Sequence, residues 1–236
     1  METTATLGEQ IMLLSLDDES GVAKEQSSVH YAVAGAVLTE LALAGRIAVG
    51  EEGDREGRVL LRDAEAVGDA AADLVLERVA ARDGKGSKPQ KPKDWIFLTA
   101  GKCVEATRTS LVDKGFVREE RKKFLGVIPA GTRYPEADGA AERELRAELS
   151  SVVLGGAEPD DRLGALIGVL HGAKLVKLAF PDASGAELKQ VQERMKDIAE
   201  GHWAGAAVGK VIESVQTALL AAVLTTTVTT TTATGS

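Results

Sequence analysis

Three histidines, His30, His171 and His202, and one cysteine, Cys103, are the side chains best suited to nucleophilic, acid–base or metal chemistry in this 236-residue chain. No histidine has another histidine or the cysteine three or four residues away, the spacing that sets two metal ligands on one helical face. Each therefore reads as a packing residue, and neither a metal site nor a cofactor is expected. A single cysteine excludes an intrachain disulfide and a cysteine-based zinc site within the chain, and it fits a reducing compartment. The run Asp17-Asp18-Glu19 lacks the alternating oxygen ligands of a calcium loop and reads as a turn that stops a helix. Glu158, Asp160 and Asp161 stand just before an apolar helix, where carboxylates satisfy free N–H groups and complement the dipole. With no glycine-rich phosphate loop, nucleophile elbow or Cys/His pair, the expectation is a protein that is not an enzyme.

Charge narrows the partners. The 28 Lys+Arg against 36 Asp+Glu give a formal charge of −8. Nucleic-acid binders draw affinity from a basic face that neutralises phosphates, so no nucleic acid is expected. Hydrophobic residues make up 44% and charged residues 27%, enough for a packed core, while 3% aromatics leave Ala, Val and Leu to fill it. The first residues carry Glu2 and Glu9 and no basic region, unlike a secretory signal, and the expected location is cytoplasmic, at most peripheral on the cytoplasmic face of a membrane. Two apolar stretches, 31–49 and 203–224, are interrupted by Glu40 and Arg46 and by Lys210 and Glu213. Such charges cost about 2.5–3.5 kcal/mol each at bilayer depth, so both stretches are expected as buried helices.

The elements that must position these groups are mostly helical. Apolar residues recur at helical spacing over 7–16 and stop at Asp17-Asp18-Glu19-Ser20-Gly21. A second helix over 29–44 closes on Gly45, and 46–49 with 58–61 read as a β-hairpin. An amphipathic helix covers 67–81. Residues 82–93, with five basic residues, two prolines and two glycines, read as a mobile surface loop. Burial resumes at Trp95-Ile96-Phe97-Leu98, and a helix over 102–114 ends at Gly115. Phe116-Val117 and 124–128, flanking the charged 118–123, are expected as a longer hairpin. Further helices are expected over 140–154, 161–180, 186–198 and 203–224. The one over 161–180 has so little polar circumference that it belongs at the centre. The expected fold is mostly α, a single globular helical domain over 5–224 around a central apolar helix, with a protruding β-hairpin. Residues 225–236 hold eight threonines and are expected as a disordered tail, because they bury too little area to offset ordering entropy.

Four blocks occur in a familiar order: Leu7-Gly-Glu-Gln-Ile-Met-Leu-Leu-Ser-Leu-Asp-Asp-Glu-Ser-Gly21, Ala34-Gly-Ala-Val-Leu-Thr-Glu-Leu-Ala-Leu-Ala-Gly-Arg-Ile47, Ser110-Leu-Val-Asp-Lys-Gly-Phe-Val117 and Asp161-Arg-Leu-Gly-Ala-Leu-Ile-Gly-Val-Leu-His171. Together they resemble the Golgi phosphoprotein 3 family over most of 5–224, and the Ala/Gly-rich composition resembles its bacterial members. For eukaryotic members the resemblance implies binding of phosphatidylinositol 4-phosphate at a membrane and an adaptor role in retaining glycosyltransferases. The family's head-group pocket uses a tryptophan and an arginine flanking the start of the second helix, and two basic residues three apart on the helix before the hairpin. Those places fall on Glu25, Ala34, Gly101 and Val104, and all four differ. Gly101, Val104 and Arg108 share one helical face, so Arg108 is positioned to reach back over the vacated site. Tyr31, Lys102 and Arg108 are accordingly the head-group candidates, with ordinary surface residues at an eroded site as the alternative.

The hairpin adds a second surface. Lys114, Arg118, Arg121, Lys122 and Lys123 surround Phe116, Phe124, Leu125, Val127 and Ile128. A basic residue beside an anionic bilayer contributes roughly 1 kcal/mol, and an apolar tip can enter lipid or a partner. Phe116, Arg121, Lys122, Lys123, Phe124 and Leu125 are the contact candidates, for an anionic membrane, a protein client or a second copy of the chain. The alternative is a hairpin packed on its own domain. The leading expectation is thus a non-catalytic peripheral membrane or adaptor protein. Its rival is a winged-helix-like nucleic-acid-binding or regulatory module, with the second helix as recognition helix and the first hairpin as wing.

Overall fold

Thr6 opens the fold with a capping box: its hydroxyl accepts from the Glu9 N–H at 3.4 Å while the Glu9 carboxylate accepts from the Thr6 N–H at 2.7 Å. The computed structural model describes residues 5–17, 24, 26–124, 128–137, 139–201 and 206–232, with backbone alone at 121–124, 128–131, 206–207 and 226–232. Helix α1 (Leu7–Ser15) leads to α2 (Gln26–Leu43), whose residues 32–39 are buried without a break. Gly45, at φ +71, turns the chain into β1 (Ile47–Val49), which pairs antiparallel with β2 (Val59–Leu61) as expected. Asp69 caps α3 (Ala70–Asp83) by accepting from the Ala72 N–H at 2.7 Å. Helix α4 (Pro92–Asp113) follows, then β3 (Glu120–Phe124) and β4 (Ile128–Arg133), an antiparallel pair with a register shift between Arg121 and Lys123. The chain ends in α5 (Ala140–Val153), α6 (Asp161–Gly172), α7 (Val176–Ala179), α8 (Gly185–Ala199) and α9 (Ala206–Thr232). The fold is mostly α, with α6 packed against α1, α2, α7, α8 and α9 and its residues 164–170 fully enclosed.

Four expectations are corrected. Helix α4 starts ten residues before position 102, because Pro92 fits the first turn and the Asp94 carboxylate accepts from the Lys91 N–H at 3.3 Å. Trp95 and Ile96 therefore face the core while Phe97 and Leu98 face outward. The segment before it is held on the body rather than free: the Val59 N–H donates to the Gln90 carbonyl at 2.8 Å and the Arg58 guanidinium to the Pro89 carbonyl at 2.8 Å. The helix over 161–180 is two helices, broken at Lys174, whose φ of +61 reverses the backbone. In the second hairpin the charged run itself forms β3. Phe116 and Val117 lie before it, Phe116 half-buried against the core and Val117 bridged to Glu136. The run Glu120-Arg-Lys-Lys-Phe124 carries no apolar–polar alternation, so pattern alone misplaces the strands.

The last helix runs to Thr232, past the expected end at 224, so the backbone over 225–232 is helical; 233–236 lie outside the described residues. Its stretch Val208–Thr225 is, among the described residues, the one helix long and apolar enough to cross a membrane, and 33% of it is buried. Small residues seat it. A Cβ on Gly35 of α2 would lie 3.0 Å from Leu219 and 3.1 Å from Val215, and one on Gly172 of α6 would lie 2.9 Å from the Gln216 backbone. Two ion pairs tie α1 into this body. Lys114 Nζ is 2.8 Å from the Glu9 carboxylate, which is wholly buried. Arg162 reaches Glu40 at 2.6 Å and the Ala5 carbonyl at 3.0 Å, while Glu40 accepts from the Leu7 N–H at 3.0 Å.

Candidate functional site

Where α1, α2 and α4 meet the exit of β4 they leave a cavity of about 330 Å³. Met12, Leu16, Val29, Val104, Leu111 and Val117 make its walls apolar. Gln26 and His30 contribute from α2, Arg108 from α4, and Thr132 and Tyr134 from the end of the hairpin. Arg108 is the one formal charge among the described lining residues, and none of them is acidic. Its guanidinium lies 4.9 Å from the centroid of the Tyr134 ring, a cation–π seat that fixes the plane and leaves the edge N–H donors available. Among the described residues no carboxylate pairs with it. Burial, and then the Arg108 charge, hold the His30 imidazole below its ordinary pKa, so it is neutral at pH 7 with one donor and one acceptor. Planar guanidinium, amide, hydroxyl and imidazole converging on a space with no carboxylate among its described lining residues suit a phosphate or another small anion.

The sequence candidates divide. Arg108 is in the pocket, turned to Tyr134 instead of back along its own helix. Val104 is a buried wall residue at 4% exposure, Ala34 is fully buried, and Gly101 is exposed with nothing within 4 Å of an added Cβ. Tyr31 points away from its neighbour His30 and meets Phe97 edge-on, with ring centroids 5.0 Å apart. Lys102 is exposed and absent from the lining. Six residues from Arg108, it sits about 120° around the helix. Arg121 pairs across the ladder with Thr132, so the hairpin base joins the pocket wall. Lys122, Lys123 and Phe124 continue β3, the side chains of 121–124 lie outside the described residues, and so does the whole of Leu125, as does Glu25. His30, Gln26, Thr132 and Tyr134 escaped sequence reasoning. The available signal was the i, i+4 polar pair Gln26 and His30 at the start of an otherwise apolar helix.

A second, larger hollow of about 910 Å³ lies on a different face of α1, against α5 and α6. Its floor includes Leu13, Leu145, Val152 and Leu163, and Glu144, Glu148, Glu158 and Asp160 ring it. Burial, then Glu144 and Asp160, push the Glu148 carboxyl above its ordinary pKa. The cysteine is remote from chemistry: Cys103 is buried and its thiol is pushed up to about 11 by that burial. The recognition-helix reading of α2 fails, because its residues 32–39 are enclosed in the core. Arg46, at the start of the supposed wing, is committed to Asp63 and Glu65.

The class of protein is then clear: a mostly helical domain with a small β-ribbon and an open pocket at the ribbon's base that holds Arg108. The family model described as Golgi phosphoprotein 3 (GPP34) matches residues 7–215, and the chain belongs to that family. Among curated relatives it is similar to "Vacuolar protein sorting-associated protein 74" of Eremothecium gossypii, 30% identical over 174 residues that make up 65% of this chain and 50% of the relative. The protein of the same name in Schizosaccharomyces pombe is 28% identical over 163 residues, 63% of this chain and 48% of the relative. The chain thus spans about half the length of the curated relatives it matches. Both are fungal and lend nothing to a bacterial reading of the composition.

Proposed function

We propose that this protein is a non-catalytic adaptor that docks peripherally on the cytoplasmic face of a membrane by taking a phosphoinositide head group, phosphatidylinositol 4-phosphate in the family reading, into the pocket of Arg108 and His30. One observation carries the reading: an arginine held over an aromatic ring in the wall of a 330 Å³ cavity, with no carboxylate among the described residues paired to it. Hydrogen bonds to charged groups are worth about 1.5–3 kcal/mol, so Arg108→Ala weakens binding to vesicles containing the phosphoinositide about ten- to a hundredfold. Binding falls further as salt rises. Wild-type protein that ignores anionic vesicles of every composition at low salt removes the reading.

An adaptor needs a cargo side as well. The acid-ringed hollow between α1, α5 and α6 supports a protein client that presents basic residues, with the apolar floor taking an aliphatic side chain between them. Glu144→Lys with Glu148→Lys then weakens capture of a lysine-rich peptide and leaves vesicle binding unchanged. Self-association through the hairpin is read separately, by a concentration-dependent mass that disappears in Phe124→Ser with Leu125→Ser.

A further inference from the structure

Phe97 is 42% exposed and Leu98 56%, two of the few large apolar side chains that face solvent among the described residues. They sit on the outer face of α4. Tyr31 braces Phe97 from α2, and the Lys93 ammonium lies 5.7 Å from the centre of the Phe97 ring. The stretch entering this helix is basic: Arg82, Lys85, Lys88, Lys91 and Lys93 against Asp83 and Asp94. It is also ordered on the body, through the bonds from Arg58 and Val59 and one from the Arg82 guanidinium to the Lys88 carbonyl at 3.2 Å. Lys102, one helical turn beyond Leu98, flanks the pair on the other side. Phe97, Gly101 and Arg108 follow one stripe of α4, so this patch and the pocket mouth lie roughly 16 Å apart along a single helix.

We infer that Phe97 and Leu98 are a membrane contact that enters the interfacial layer of an anionic bilayer, with Lys93, Lys102 and the basic stretch 82–93 lying among the lipid head groups. The inference rests on the membrane reading above but needs no phosphoinositide. Its chemistry favours lipid over a protein partner. A stable protein interface takes about 800 Å² per side with a core depleted in lysine, whereas here two side chains stand with Lys93 over one ring and Lys102 a turn beyond. Apolar groups that dip below the head groups while ammonium ends stay with phosphate are what a bilayer surface accommodates.

The test uses the full chain with an environment-sensitive fluorophore on Leu98→Cys. Buried Cys103, its thiol protonated at neutral pH, stays unlabelled, and labelling of the unsubstituted protein is the control. On vesicles of phosphatidylcholine and phosphatidylserine without phosphoinositide, the probe emission shifts to the blue. The double variant Phe97→Ser, Leu98→Ser, assayed well below its own melting temperature so that it is folded, loses about tenfold or more in binding with or without phosphoinositide. Arg108→Ala loses only the phosphoinositide-dependent increment. A blue-shifted probe alongside an ineffective Arg108→Ala retains this contact and discards the pocket reading. The inference is overturned by an unshifted probe on sedimenting protein, by a double variant that binds like wild type, or by no binding to these vesicles. A shift produced by protein concentration alone, which puts a second copy on the patch, also overturns it.

Discussion

Lys114 separates two accounts of the same charge. In the sequence it belongs to the basic rim of the hairpin. In the structure its ammonium is 2.8 Å from the Glu9 carboxylate, with Glu9 at 0% exposure and Lys114 at 25%. Lys114→Met keeps most of the stem's volume but strands a carboxylate in the core, with the Thr6 N–H still donating to it. Removing one member of a buried pair costs about 3–5 kcal/mol. At roughly 2–4 °C per kcal/mol for a domain of this size, melting falls by about 6–20 °C. A membrane cation would behave oppositely, losing about 1 kcal/mol, or roughly fivefold, of vesicle affinity with no change in melting. Circular-dichroism melts and vesicle sedimentation on the same samples decide between them. Glu9→Gln in the Lys114→Met background restores part of the loss, since the amide oxygen still accepts from Thr6 and no charge is left buried. A melting shift below about 2 °C, or a vesicle defect without one, refutes the structural role.

The pocket makes a pH prediction with two signs. His30 is held below its ordinary pKa by burial and Arg108, and His171 by burial and then Lys174, so the unfolded chain takes up these protons first. Stability is therefore full above about pH 6.5 and declines as pH falls from there through the lowered folded values, while affinity for a phosphate rises over the same range as His30 gains charge. His30→Gln flattens the affinity trend in phosphoinositide-vesicle assays and lessens the melting trend, of which His171 keeps its share; a wild-type affinity independent of pH counts against His30 as a ligand. Gly101→Arg enters open space on an exposed helical face, so melting does not fall, and the added cation strengthens binding to anionic vesicles about fivefold; unchanged binding places α4 off the membrane. Gly172→Ala pushes a methyl toward the Gln216 backbone and costs about 1–3 kcal/mol in denaturant melts, whereas Gly168→Ala meets the movable end of the Gln216 side chain and is tolerated; equal effects refute the seating of α9.

What the sequence made legible followed from local chemistry. Asp160, Gly45 and Gly115 mark element ends by rules that act within a few residues, and the boundaries of α1, α2, α5 and β1–β2 fall close to the expected ones. Asp160 caps α6 by accepting from the Leu163 N–H at 2.7 Å, as expected of a carboxylate before an apolar helix. The start of α4 was readable from Pro92 and Asp94, but four consecutive apolar residues after them carry no period and obscured it. Lys174 gave no warning: it closes α6 in a Schellman turn, the Leu175 N–H donating to the Leu170 carbonyl at 2.9 Å, at the left-handed position where glycine is the usual signal. The site was half-legible. Arg108 followed from helical spacing and family resemblance, whereas His30 and Tyr134 reach it from separate elements, and no one-dimensional pattern encodes that meeting.

The glycine notches beneath α9 also have a mechanical consequence. Val215 and Leu219 bear directly on Gly35, and Gln216 on Gly172, so this helix is keyed into α2 and α6 like a bolt in its slot. Traction on residue 225, by a tether or a load hauled from that end, is transmitted to α2 without an intervening hinge. Helix α2 begins with Gln26 and His30, so a pull on α9 bears on the helix that carries part of the pocket wall.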